Sequence, residues 1–421
     1  TGTGAGSSAG GRNGAAGITE TGVLIAGTLS GGSTAGGASL TGAANNVGTL
    51  GAFATKLDFE LDDSTALTLA GLVSGANVTL SSTATGTALS ITGTVSATGT
   101  ADLAATVGAL DIASGGTVSG TTAVVLNGAT GITEEGTLIA GTLSGGSASG
   151  GARLIGASPT TTANQVTTLG DFSTKQAFVF ADSTGLAVTG TVTASDIALL
   201  ANTGGFALSG VLNAGSGLVS LNGAGGVTQT GGSIIAGSLI SELGMSGDVT
   251  LGATTNAIGA LGNFALASGS FTLTDGVPLS VAGVVSVDAG KTIALTMDSF
   301  GFATGGSLSA VNGTVALIPL SGTTVVTLGG AAASGIVAGD LSQISAGTIS
   351  LGGAADGSGT QAQSVAITGN ATTRSSPPSR LADAVTSPFA LAAITSTTRN
   401  SKRSLSGDGG DLQARTMSIH G

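Results

Sequence analysis

Cysteine, tryptophan and tyrosine are all missing from these 421 residues, and histidine occurs once. Charged residues make up only 8%. Each absence excludes something. Without cysteine there is no disulfide framework and no thiolate metal site. Without tyrosine and tryptophan there are no aromatic girdles of an outer-membrane barrel. The usual aromatic anchors of tight interfaces are gone too. The only histidine, His420, lies in the last stretch of the chain outside the repeated pattern, so no Ser-His-Asp triad and no histidine-based metal site is expected. No stretch offers the roughly 18 consecutive apolar residues of a membrane-crossing helix. The formal charge of −11 argues against nucleic acid, whose phosphates call for clustered Lys and Arg.

What is present is 76 glycines among Ala, Thr, Ser and small aliphatic residues. Disordered chains are rich in charge and poor in β-branched residues. Here Val, Ile, Leu and Thr recur at short intervals, so the chain can bury a thin aliphatic core.

The sequence also repeats itself. "GITETGVLIAGTLSGG" at 17–32 returns at 131–146 as "GITEEGTLIAGTLSGG", identical at 14 of 16 positions and 114 residues on. Three modules can be aligned. They open at Asn13-Gly14, Asn127-Gly128 and Asn222-Gly223, continue through Ile-Ala-Gly-[Thr/Ser]-Leu, and reach Leu-Gly-x-Phe at Phe53, Phe172 and Phe264. "FELDDSTAL" (59–67), "FVFADSTGL" (178–186) and "FTLTDGVPL" (271–279) then align without a gap, with Asp63, Asp182 and Asp275 coinciding. The boundaries read as 13–126, 127–221 and 222–322, with a degraded fourth copy at 323–369.

Within the modules a shorter template recurs: apolar-x-apolar-x-Gly-x-apolar, as in "LTLAGLVSG" (67–75), "LSITGTVSA" (89–97) and "LAVTGTVTA" (186–194). Alternation with period two marks strands with one buried face. Neighbouring templates lie about 20 residues apart, at Leu186 and Phe206 and at Leu67 and Leu89. These features predict an all-β fold, a parallel β-helix (β-solenoid) of roughly 20-residue rungs over 1–369. About 18 rungs at about 4.8 Å would make a rod roughly 85–90 Å long. Asn-Gly pairs are expected at left-handed corners. The competing arrangement, a stack of β-sandwiches, suits the hundred-residue module but not the shorter sub-period or the missing large aromatics.

The rhythm ends near residue 370. Five basic residues precede that point and six follow it, with three of the six prolines. Residues 370–421 are expected to be a disordered tail, or a segment outside the native frame. The start at Thr1, without Met or a signal segment, reads as a fragment or processed boundary.

No catalytic, cofactor-binding or metal-binding residue can be assigned, and the chain is not expected to be an enzyme. Asp62-Asp63 and Glu134-Glu135 are the only paired carboxylates that suggest glycoside chemistry. Adjacent strand residues point to opposite faces, so neither pair converges. Both are expected on solvated corners or outward faces. Asp63, Asp182 and Asp275 could ligate calcium, but their "DST" and "DGV" settings fit Asx-type turns better.

Runs such as "NGATGITEEGTLIAGTL", "NQVTTLGDF" and "FTLTDGVPLSVAGVVSV" resemble the repeats of filamentous haemagglutinin-like exoproteins. These are the two-partner secretion and autotransporter-type adhesins of Gram-negative bacteria. Over residues 10–350 the resemblance implies a right-handed parallel β-helix and export through an outer-membrane transporter. It further implies a secreted or cell-surface location, and adhesion to host cells, abiotic surfaces or neighbouring bacteria. No functional residue transfers. Two rivals stay open: an ice- or surface-binding solenoid, which needs a flat face of regularly spaced Thr, although Thr-x-Thr pairs such as Thr191 and Thr193 do not recur at rung spacing, and a polysaccharide-active β-helix.

Overall fold

In the computed structural model, residues 5–6, 10–328, 335–338, 341–367 and 417–420 are described. The fold is an all-β parallel β-solenoid of about 14 turns. Among the described residues helical structure is confined to two 3-10 turns, Pro159–Thr161 and Leu341–Gln343, and no helix is long and apolar enough to cross a membrane. The chain divides into two compact units, Thr1–Ala224 and Gly225–Gly421.

In the first unit each turn runs along three faces. Residues one rung apart pair in parallel, and the inward positions form unbroken columns. On the first face the column runs Ile18, Ala38, Phe59, Val78, Ala101, Val124. On the second it runs Leu69, Ile91, Ile112, Glu134, Leu154, Phe180, Leu199, Leu221. On the third it runs Val73, Val95, Val118, Leu138. Burying each such aliphatic side chain contributes about 1.5–3 kcal/mol, and a rung obtains this only from the rungs above and below it. Period-two alternation is therefore the determinant of the fold, as in Val78–Ser82, whose burial alternates strictly.

Some strands turn a corner without ending. Thr117–Gly128 pairs on the third face through Gly120 and on the first from Ala123 onward, with the register shifting between them. The two residues at the bend, Thr121 and Thr122, are exposed. The second unit is built alike: Val227, Val249, Phe271, Ile293, Val315 and Ile349 form one of its columns.

The module phenylalanines are explained by packing. The ring of Leu-Gly-x-Phe meets the ring opening the next recurring segment in every copy: Phe53 with Phe59 at 4.7 Å, Phe172 with Phe178 at 4.6 Å, and Phe264 with Phe271 at 4.9 Å. These separations are those of favourable tilted aromatic pairs.

Two expectations need correction. The number of turns is about 14 rather than the larger number expected. Rungs are unequal: the one from Phe180 to Leu199 is short, and the one from Leu154 to Phe180 is longer. Corners absorb the extra residues, the 3-10 turn Pro159–Thr161 among them. Asn312-Gly313 does sit in a left-handed corner, with Asn312 at φ 55° where Ser307–Ile318 shifts register between Ala310 and Thr314, but the module-opening Asn-Gly pairs do not. Asn127-Gly128 ends a strand, and a Cβ on Gly128 would lie 2.2 Å from the Gly131 carbonyl oxygen, so close backbone approach selects the glycine. Gly14 is in the same position, 2.4 Å from the Gly17 oxygen.

The copies of the duplicated segment do not stack on one another. Ile18 belongs to the first-face column, whereas its counterpart Ile132 lies on the second face, paired with Leu110. The separation between the copies makes five turns plus one face. Of the expected tail, 370–416 and 421 lie outside the described residues, and Met417–His420 pairs antiparallel with Ile344–Leu351.

Candidate functional site

The sequence singled out Asp63, Asp182 and Asp275, and each proves to be part of a larger buried polar corner that occurs once per module. The corner forms where a strand ends and the next face begins. There, backbone N–H groups have left one ladder without joining the next, and buried donors of this kind need acceptors.

In the first copy Asn45 is fully buried. Its Oδ1 accepts from the Leu24 N–H at 2.8 Å, and its amide nitrogen donates to Glu20 Oε2 at 2.9 Å and to the carbonyls of Leu40 and Asp62 at 3.1 Å. Asp63 Oδ1 accepts from the Val47 N–H at 2.8 Å, while its Oδ2 accepts from the Thr65 hydroxyl at 2.8 Å and the Thr65 N–H at 3.2 Å.

The second copy repeats this with Asn164, Glu134 and Asp182. Leu138 N–H donates to Asn164 Oδ1 at 2.8 Å, and Asn164 Nδ2 donates to Glu134 Oε2 at 2.9 Å and Ala181 O at 3.2 Å. Val166 N–H donates to Asp182 at 3.1 Å. In the third copy the trio is Asn256, Gln229 and Asp275. Ile234 N–H donates to Asn256 Oδ1 at 2.8 Å and Ile258 N–H to Asp275 Oδ1 at 3.0 Å.

The aspartates are therefore backbone clamps. An Asx-type bond to the residue two further on is present at Asp63 and Asp182, as expected. The bond back to a distant backbone N–H, that of Val47, Val166 or Ile258, was not foreseen. Burial pushes the Asp63 carboxyl above the usual range against the hydrogen bonds from Val47 and Thr65, which lower it. Asp182 and Asp275 are pushed up to about 6 by the same desolvation.

The paired carboxylates split as strand geometry requires. Asp63 and Glu134 are buried, whereas Asp62 and Glu135 face outward, so neither pair converges. The expectation of solvated settings thus fails for Asp63 and Glu134, because the corner's unpaired N–H groups draw these acceptors inward. Glu135 reaches Arg153 at 3.9 Å in an exposed pair. Among the described residues no group of three or more His, Asp or Glu is placed to hold a metal ion.

Of the other corner members the sequence marked only Glu134, as half of an acidic pair; Glu20, Gln229 and the three asparagines were missed. Asn45, Asn164 and Asn256 each stand eight residues before the phenylalanine of Leu-Gly-x-Phe, a fixed spacing that was there to be read. Their partners Glu20, Glu134 and Gln229 lie upstream at three different separations, so no constant spacing marks them.

The outward face is the other candidate. On the third face Leu72, Thr94, Thr117 and Thr137 pair rung to rung, as do Ser74, Ser96, Ser119 and Ile139. Thr therefore does recur over three successive rungs, at a place other than the Thr191-x-Thr193 pair. The first unit also carries a groove of about 580 Å³ lined by Asn127, Ser147, Ser173, Thr174 and Lys175, in which Lys175 is the sole charged residue.

Comparison with protein-family models, with curated proteins and with solved structures gave no match.

Proposed function

We propose that this chain is a structural and adhesive segment of a large secreted or surface-displayed bacterial exoprotein, without catalytic activity. The observation that carries the reading is the outward Thr and Ser column of the third face, in which Thr94, Thr117 and Thr137 follow one another rung by rung. Uncharged groups repeated about every 4.8 Å bind weakly one at a time. Linked on one scaffold they gain avidity. The resemblance to filamentous haemagglutinin-like exoproteins, carried by the repeat segments, supports the same reading and supplies the expected route through an outer-membrane transporter.

The test is bead adhesion. Beads coated densely with the chain should hold to epithelial monolayers, bacterial lawns or glass more firmly than albumin-coated beads. Retention should fall steeply as the coating is diluted. Retention equal to albumin on all three surfaces would sink the adhesive reading.

The same Thr column favours one second reading, an ice-binding face. Thermal hysteresis that disappears in Thr117→Lys would replace the adhesive reading with that one.

A further inference from the structure

The third module writes glutamine where the second writes glutamate, and the hydrogen bonds say what that exchange means. Gln229 Oε1 accepts from Asn256 Nδ2 at 3.0 Å and from the Ala253 N–H at 3.2 Å. Glu134 Oε2 accepts from Asn164 Nδ2 and from the Gly156 N–H, both at 2.9 Å. One half of each side chain thus makes the same two bonds.

The other halves differ. Gln229 Nε2 donates to Asn256 Oδ1 at 3.0 Å, whereas Glu134 Oε1 is buried with no partner. A carboxylate oxygen cannot donate, and Asn164 Oδ1 is itself an acceptor that already receives the Leu138 N–H. In the third copy the equivalent atom donates to the asparagine oxygen, which a bare carboxylate oxygen cannot do. A proton on Oε1 would supply that donor and make glutamic acid the isostere of glutamine. We propose that Glu134 is a neutral carboxylic acid in the folded chain at neutral pH, donating from Oε1 to Asn164 Oδ1, so that this corner closes with uptake of a proton.

The charges around it leave that proton in place. On the preceding strand Asp111 pairs outward with the Thr133 hydroxyl. On the following strand Arg153 is exposed and turned to Glu135. Across the corner Asp182 is committed to Val166 and Thr184. Among the described residues no cation is paired with Glu134, and its neighbours Glu135, Asp111 and Asp182 are acidic. Burial raises the Glu134 carboxyl, and repulsion from Glu135 adds to it, against the hydrogen bonds from Asn164 and Gly156 to Oε2 that lower it.

The chain holds five glutamates, at 20, 60, 134, 135 and 242, so selective ¹³Cδ-glutamate labelling of the whole protein gives five carboxyl signals. At pH 7 the Glu134 signal is expected at the protonated position, and it identifies itself by vanishing in Glu134→Gln. That variant is expected to fold, and to gain stability relative to the parent as pH rises above the ordinary glutamate range. A Glu134 signal at the carboxylate position at pH 7 would overturn the proposal. So would a Glu134→Gln chain that fails to fold, since the amide reproduces every bond of the neutral acid. In that event the signal is still assigned by elimination with Glu20→Gln, Glu60→Gln, Glu135→Gln and Glu242→Gln.

Discussion

Replacing Asn164 by alanine tests the polar corner where it is most concentrated. The side chain is fully buried and satisfies three groups at once: the Leu138 N–H, the Ala181 carbonyl and the Glu134 carboxyl. Alanine leaves all three in place and removes their partner. A buried polar group left unpaired costs about 1–3 kcal/mol. The Leu138 N–H loses its acceptor in the corner, the Ala181 carbonyl keeps a second lone pair, and Glu134 keeps the Gly156 N–H. Taking the lower end for each gives about 3 kcal/mol for the substitution. The assay is amide hydrogen exchange at Leu138 in the intact chain. With tenfold per about 1.4 kcal/mol, exchange should accelerate about a hundredfold in Asn164→Ala. Asn164→Asp should fall between, since it keeps an acceptor for Leu138 and loses both donors. An acceleration under tenfold in the alanine variant would refute the corner as a stabilising element.

Three further outcomes follow from the same geometry. Phe172→Ala removes a buried ring packed on Phe178 and should cost about 3–5 kcal/mol, read as a fall in thermal midpoint; a loss below about 1 kcal/mol would contradict the packing. Asp275 has a folded value of about 6 against an ordinary 3.8, so the native state holds the extra proton between those limits. Stability then falls as pH rises from about 4 to 6, by no more than about 3 kcal/mol, and denaturant titrations should show Asp275→Asn flattening that fall. Gly145→Ala should destabilise severely, because its Cβ would lie 1.9 Å from the Leu126 oxygen at φ +139°, whereas Gly115→Ala, at φ +87° with open space around it, should cost only about 1–2 kcal/mol of backbone strain in the same assay.

The strands and their stacking were legible because burial imposes a period of two on every inward residue, from Leu67 to Val281. The three modules were legible because the Phe53, Phe172 and Phe264 rings each need the same partner. The turn count was not, since corner residues such as Pro159–Thr161 lengthen a rung without disturbing the alternation on either side. The displacement of Ile132 by one face from Ile18 was hidden for the same reason: it is set by the sum of rung lengths and by no local signal. Asp63, Asp182 and Asp275 stood out by their fixed place, but Glu134 looked like half of an exposed acidic pair. Its role depends on Asn164, which reaches it only across a whole irregular rung. The Thr94, Thr117 and Thr137 column escaped notice because its members are unequally spaced along the chain.

The solenoid itself is tested most directly by cross-linking, for which a chain without cysteine is well suited. Thr94 and Thr117 are paired outward residues on adjacent parallel rungs, and neighbouring strands stand about 4.8 Å apart, within reach of a disulfide. The double variant Thr94→Cys, Thr117→Cys should oxidise within one molecule while keeping its β-rich circular dichroism. The offset pair Thr94→Cys, Ser119→Cys should remain reduced under the same mild conditions. Cross-linking of the offset pair in preference to the registered one, or of neither, would contradict the parallel stacking on which the whole account rests.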